Sequence, residues 1–189
     1  MNAREYREGK KNAAADTQYG YTPKGSSVVL YSRPELLHAQ YCVATDWPGG
    51  VYGSPTVNGS RAGSTIATCW ATMLSFGREG YVKATKDVVS TARFIEQELR
   101  NVKGIFVYGN PGTTVIALGS KDFHIYHLLD RLNKKGWNLN PLQNPQGMHI
   151  AVTNMTTRPG AATRFVTDCK TEVASLLAAP PADLQGKLH

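Results

Sequence analysis

Gly104-Ile-Phe-Val-Tyr-Gly-Asn-Pro-Gly-Thr-Thr-Val-Ile-Ala-Leu-Gly-Ser-Lys-Asp-Phe-His-Ile-Tyr-His-Leu-Leu-Asp-Arg-Leu-Asn-Lys-Lys-Gly136 is the stretch whose reading decides the fold. Two β-branched, aromatic runs, Gly104–Tyr108 and Thr114–Leu118, flank the turn Gly-Asn-Pro-Gly and read as strands. The period then lengthens. Asp122–Lys135 is amphipathic at helical spacing and closes on the stop signal Lys-Lys-Gly136. Upstream, Tyr81, Thr85, Val88, Ala92, Ile95 and Leu99 recur every three or four residues, which predicts a helix over Gly80–Asn101 with one apolar stripe. Downstream, Trp137–Leu139 and Met148–Val152 read as strands. Pro159 opens a last helix with Ala162, Phe165, Cys169, Val173 and Leu176 on one face, ended by Pro180–Pro181. The order helix, strand, strand, helix, strand, strand, helix predicts an α/β unit with helices against one sheet.

The first part of the chain does not belong to that unit. Ser26–Tyr31 reads as a buried strand, Pro34 opens a short helical turn, and Tyr41–Ala44 reads as a second strand. Thr45–Gly63 is rich in Gly, Pro, Ser and Asn and is expected to hold no regular element. Loops of that length in a compact domain usually carry function. Ser64–Phe76 reads as a small-residue helix carrying Trp70, Met73 and Leu74. Two short strands bury little core by themselves. Residues 26–63 therefore read as the end of a sheet whose other strands lie outside these 189 residues.

Apolar residues make up 41% of the chain, enough for a packed core and too many for wholesale disorder. No segment approaches the ~18–20 unbroken apolar residues of a membrane span, and the first residues do not read as a signal peptide. Lys+Arg 21 against Asp+Glu 14 gives a net charge of +7, which favours anionic partners. The charge is dispersed, without an aromatic-flanked basic stripe or base-reading motif, so nucleic acid is not the expected partner. Cys42, Cys69 and Cys169 form no CxxC pair and indicate neither a disulfide framework nor zinc, which suits a reduced, cytosol-like compartment.

Three motifs bear chemistry. In Asp16-Thr-Gln-Tyr-Gly-Tyr-Thr-Pro-Lys-Gly25, Lys24 and the amides after it suit an anion; the same residues also suit a turn before a strand with a solvated lysine. Gly59-Ser60-Arg61 enters a helix and suits either an anion site or an ordinary cap. His124 and His127 lie three apart on a predicted helix, but no third ligand accompanies them at metal-site spacing, and no metal is expected. Asp46, Trp47, Tyr19, Tyr21 and Tyr52 suit a pocket lining, with core packing the plainer role for most of the aromatics.

Beyond these motifs, long strings of the chain resemble the sphingosine-1-phosphate lyase family. They run from Ala-Asp-Thr-Gln-Tyr-Gly-Tyr-Thr-Pro-Lys-Gly-Ser-Ser-Val-Val-Leu-Tyr through Thr-Asp-Trp-Pro-Gly-Gly-Val-Tyr-Gly-Ser-Pro-Thr-Val-Asn-Gly-Ser-Arg-Ala-Gly, Phe-Gly-Arg-Glu-Gly-Tyr-Val-Lys-Ala-Thr-Lys, Gly-Ile-Phe-Val-Tyr-Gly-Asn-Pro and Lys-Gly-Trp-Asn-Leu-Asn, and cover Ala14 to Leu177. The resemblance implies a homodimeric fold-type-I pyridoxal phosphate enzyme of the wider decarboxylase-like superfamily. Such an enzyme cleaves the C2–C3 bond of a phosphorylated long-chain base to a fatty aldehyde and phosphoethanolamine, with the cofactor held as an imine on a lysine. It also implies Lys24 as a ligand of the substrate phosphate. Gly59 and Ser60 match the loop that reaches the cofactor phosphate of the neighbouring subunit, and Thr17 matches a residue beside the cofactor. In intact eukaryotic members an upstream anchor implies the cytosolic face of the endoplasmic reticulum; this chain by itself is expected in the cytoplasm.

The chain departs from the family at its chemical centre. The family pattern Asp-Thr-His-Lys-Tyr-Gly-Tyr stands here as Asp16-Thr17-Gln18-Tyr19-Gly20-Tyr21. Glutamine has no amine and forms no imine, and neither Lys24 nor Lys11 is placed to substitute. An in-frame loss of three bases turns a His-Lys codon pair into Gln. The expected organisation is a mobile tail over 1–13, the end of the cofactor-binding large domain with its intersubunit loop over 14–78, a small α/β domain over 79–179, and a tail over 180–189. The partners of the pyridine ring belong to the preceding part of the large domain, so this chain alone is expected to be inactive. The alternatives are a pyridoxal-dependent amino-acid decarboxylase, which has no substrate phosphate for Lys24 to bind, and a non-catalytic fragment that dimerises with a full-length lyase through Thr45–Gly63.

Overall fold

The computed structural model describes the backbone of residues 13–16, 20–25, 27–56 and 59–178, with side chains described from residue 20 onward. Thr17, Gln18, Tyr19, the first twelve residues and the tail after residue 178, including Pro180–Pro181, lie outside the described residues. Two compact units divide between Tyr81 and Val82.

In the first unit β1 (Ala13–Asp16) pairs antiparallel with β2 (Ser27–Leu30), Ala14 opposite Val29. The run read as a buried strand is not buried: Val29 is 46% and Leu30 50% exposed. β-branched composition suits a pleated surface but does not say what covers it. A short helix α1 (Pro34–His38) follows, with proline at its first turn. β3 (Cys42–Ala44) then pairs with β4 (Tyr52–Ser54). This second strand corrects the expectation of no regular element across Thr45–Gly63. Tyr-Gly-Ser is a poor strand former, and only its partner strand reveals it.

Helix α2 runs from Gly63 to Arg100 and is broken at Gly77, whose φ of 57° and ψ of −179° suit glycine alone. Residues after the break belong to the second unit from Val82 onward. There β5 (Phe106–Val107), β6 (Val115–Gly119), β7 (Asn140–Leu142) and β8 (Gly147–Ala151) form an antiparallel sheet in the order β5-β6-β8-β7. Helices α3 (Ile125–Lys134) and α4 (Ala161–Ala178) complete it. The order of elements is the one anticipated. The apolar stripes of α2 (Val88, Ala92, Ile95, Leu99) and α4 (Phe165, Cys169, Val173, Leu176) meet Ile116, Leu118, Met148 and Ile150 of the sheet and Leu128 and Leu132 of α3 in one buried core.

Two elements start three residues later than expected. Helix α3 starts at Ile125 rather than Asp122, because Ser120 Oγ accepts from the amides of Asp122 (3.1 Å) and Phe123 (3.3 Å) and holds them in a turn. Trp137–Leu139 is not a strand; the strand lies at Asn140–Leu142 and contains a proline. An edge position tolerates proline, whose missing N–H leaves no central ladder bond unmade.

Trp137 instead ties the two helices together. Its indole N–H donates to Asp168 Oδ2 at 2.9 Å, its ring meets Phe165 edge-on at 5.0 Å, and the Arg164 guanidinium sits 5.1 Å from its centroid. Lys135 pairs with Asp168 (3.2 Å) and Glu172 (2.9 Å). The indole donor, followed by Lys135 and Arg164, holds the Asp168 carboxyl below the usual range, and Lys135 chiefly does the same for Glu172. A depressed carboxyl contributes stability above its unfolded pKa, about 4, and that contribution disappears as pH falls through the folded value. The melting temperature of the second unit is therefore expected to fall between pH 5 and pH 3, measured by circular dichroism. Asp168→Asn is expected to cost about 1.5 kcal/mol at pH 7, the low end for bonds to charged groups because Lys135 and Arg164 stay partly in water, and to flatten the acid limb. An unchanged acid limb in the variant would refute this account.

Candidate functional site

The sequence motifs that suggest anion chemistry lie in the first unit. Gly20 to Gly25 forms the turn between β1 and β2, and Lys24 is exposed on it. The turn has two left-handed residues, Gly25 (φ 110°) and Tyr21 (φ 60°). For a residue with a side chain that conformation costs about 1–2 kcal/mol. The Tyr21 ring lies parallel to Phe76, 4° apart in plane and 5.1 Å between centroids, and Phe76 stacks in turn on Tyr81 at 5.0 Å. Tyr81 Oη donates to the Gly20 carbonyl at 2.8 Å. A ring pair contributes about 0.5–1.5 kcal/mol and a hydrogen bond about 1 kcal/mol, enough to offset the strain at Tyr21. Burial, then Cys69 and Tyr21, push the Tyr81 phenol up from its ordinary value.

The second motif lies on the loop before α2. Gly59 and Ser60 are exposed. Arg61 turns back, its Nη2 donating to Thr56 Oγ1 at 3.3 Å. The loop is anchored from behind by Gln40, which accepts from Tyr31 Oη and donates from Nε2 to the Pro55 carbonyl at 2.7 Å. No motif pointed to Gln40 or to the aromatic stack, since each acts through contacts distant in sequence. Among the described residues no hydrogen bond joins the Lys24 turn to Gly59 or Ser60. Thr17 and Gln18 lie outside the described residues.

Other candidates resolve plainly. Trp47 (57% exposed) and Tyr52 (49%) meet edge-on at 6.2 Å and are not core residues, which corrects the packing role expected for them. Tyr21 is likewise on the surface of its turn rather than in a core. His124 caps α3, Nδ1 accepting from the Tyr126 amide at 3.4 Å, with the His127 ring 6.0 Å away. Among the described residues no group of three metal-ligating side chains forms, and no helix is long and apolar enough to cross a membrane. Burial pushes the Cys169 thiol up to about 12, which leaves it inert.

Pyridoxal phosphate needs an amine for its aldehyde and donors for its phosphate. The exposed Lys24 and Ser60 are suitable phosphate donors. The donor set does not suit the aldehyde: Gln18 carries a carboxamide, and Lys24, the nearest lysine of the motif, stands six residues further on in an exposed turn. No chemical step is assigned through the cofactor on this chain.

No family model matches the chain. It is 54% identical over 182 residues to the sphingosine-1-phosphate lyase of Drosophila melanogaster, covering 96% of this chain and 33% of that protein. It superposes on the solved sphingosine-1-phosphate lyase of Burkholderia pseudomallei with a TM-score of 0.73 and 38% identity, over 90% of this chain and 42% of that one. A Lactobacillus brevis glutamate decarboxylase shares the fold at a TM-score of 0.66 and 20% identity. These neighbours are fold-type-I pyridoxal phosphate proteins, and the family uses that cofactor. With over half its residues identical to a curated lyase along nearly its whole length, the chain belongs to the sphingosine-1-phosphate lyase family, of whose curated members it spans a C-terminal portion of about a third.

Proposed function

We propose that this chain is the phosphate-handling C-terminal portion of a protein that cleaves the C2–C3 bond of a phosphorylated long-chain base, and that it has no turnover by itself. Residues 14–78 close the cofactor-binding domain and carry the intersubunit loop, and 79–179 form the small domain. Lys24 presents its ammonium to the substrate phosphate, a charge-assisted contact that orients the base. Ser60 and the Gly59 amide serve the cofactor phosphate across a homodimer, and Thr17 borders the cofactor. When bound, the cofactor supplies the electron sink for the carbanion left on C2. The intact protein would act at the cytosolic face of the endoplasmic reticulum.

The observation that carries this reading is the high identity to lyases along the chain, set against Gln18 where the family places its lysine. The purified chain is expected to release no fatty aldehyde from a phosphorylated long-chain base and to show no single-site adduct with pyridoxal phosphate after borohydride reduction, read by mass spectrometry. Its affinity for phosphoethanolamine is expected to fall by about tenfold or more in Lys24→Met, the equivalent of one lost charge-assisted hydrogen bond. Cleavage of the base by the unaided chain would overturn the reading.

One observation favours a second reading, a non-catalytic fragment that joins a full-length lyase: Ile66, Trp70 and Met73 of α2, spaced on one face, are 56%, 66% and 47% exposed. Co-purification with a full-length homologue tests it, and a negative result removes it.

A further inference from the structure

The break in α2 has a consequence for the Lys24 turn. Phe76 and Tyr81 are five residues apart, and on a straight helix such positions lie ~140° apart around the axis, too far to share a ring partner. The conformation of Gly77 between them removes that restriction. Both rings then face Tyr21, Phe76 at 5.1 Å and Tyr81 at 6.4 Å between centroids. Tyr81 also holds the neighbouring Gly20 carbonyl at 2.8 Å. The contacts therefore grip two consecutive residues of the turn, and Lys24 follows three residues later.

We propose that Phe76 and Tyr81 are positioning residues for Lys24: their stack on Tyr21 and the hydrogen bond to Gly20 lock the turn, so that the Lys24 ammonium is presented to a phosphomonoester in one orientation. A lysine on an unlocked turn keeps its charge but loses orientation, and the entropy of reordering the turn on binding lowers affinity. The inference rests on the proposed role of Lys24 and adds the residues that make that role effective.

Two measurements on the full chain test it. Trypsin cleavage of the Lys24–Gly25 bond reads the turn directly, because a protease needs a locally opened backbone. Tyr81→Phe keeps the ring and loses the hydrogen bond, and is expected to speed that cleavage about threefold to tenfold. Phe76→Leu removes both close stacks and is expected to speed it at least as much, whereas Phe76→Tyr keeps the wild-type rate. Cleavage at Arg61–Ala62, in the same unit, is expected to stay unchanged in all three. Acceleration at both bonds alike means general loosening and overturns the local role, as does an unchanged rate at Lys24–Gly25.

The second measurement is phosphoethanolamine affinity, followed by amide chemical shifts. Tyr81→Phe is expected to weaken it about threefold or more in the wild-type background and not at all beside Lys24→Met. If Lys24→Met weakens binding and the aromatic variants do not, the positioning role fails while the Lys24 reading stands. If Lys24→Met leaves affinity unchanged, the Lys24 reading fails and takes this inference with it.

Discussion

Replacing Phe165 with alanine is expected to cost the second unit about 3–5 kcal/mol, the range for a large aromatic removed from a core that cannot collapse around the gap. Phe165 is 0% exposed, and its ring is met edge-on by Trp137 at 5.0 Å. It sits on α4 where that helix faces the rest of the core, so the cavity opens at the centre of the buried cluster rather than at its rim. Domain stabilities are commonly about 5–15 kcal/mol, so the variant would approach its folding threshold. Urea unfolding followed by circular dichroism measures the loss. Phe94→Ala is the control. Phe94 is 41% exposed on α2, and its truncation is expected to cost about 0.5 kcal/mol or less. Equal losses at the two positions would show that the stripe assignment is wrong.

Gly147→Ala carries the second large effect, through overpacking. Gly147 is buried on β8, and a Cβ there would stand 2.9 Å from the Leu118 carbonyl oxygen and 3.1 Å from the Tyr108 ring. The oxygen belongs to the neighbouring central strand and cannot swing aside as a side chain would. Tyr108 is itself fixed, its hydroxyl donating to the Gln146 carbonyl at 2.7 Å. Gly119 across the ladder leaves room for the same ring, with Tyr108 atoms 2.9 Å from where its Cβ would be. The expected cost is about 1–3 kcal/mol, with most of it retained in Tyr108→Ala because the backbone clash persists. Gly112→Ala meets nothing within 4 Å and is expected to be neutral or stabilising by about 0.4–1 kcal/mol through the unfolded chain. A neutral Gly147→Ala in the same unfolding assay would refute the close approach.

Much of the second unit was legible without coordinates, and the reason is physical. A helix buries a face set by a local period, so Val88, Ala92, Ile95 and Leu99 declare themselves along the chain, as do Phe165, Cys169, Val173 and Leu176. The candidate site was legible differently. Lys24, Gly59 and Ser60 came from a long ordered likeness to lyases, and the exchange of His-Lys for Gln18 is visible only in the linear chain.

What the amino-acid order determined by itself, then, was the succession of elements in the second unit, the family, and the missing amine. Tertiary structure alone decided the rest. It paired Tyr52–Ser54 with Cys42–Ala44, left Val29 and Leu30 on a surface, gave the Trp137 indole to Asp168, and stacked Phe76 and Tyr81 on Tyr21. Each of these depends on which distant segment arrives beside a residue. Local periodicity reports the direction a side chain takes from its own backbone; it carries no information about what is waiting there.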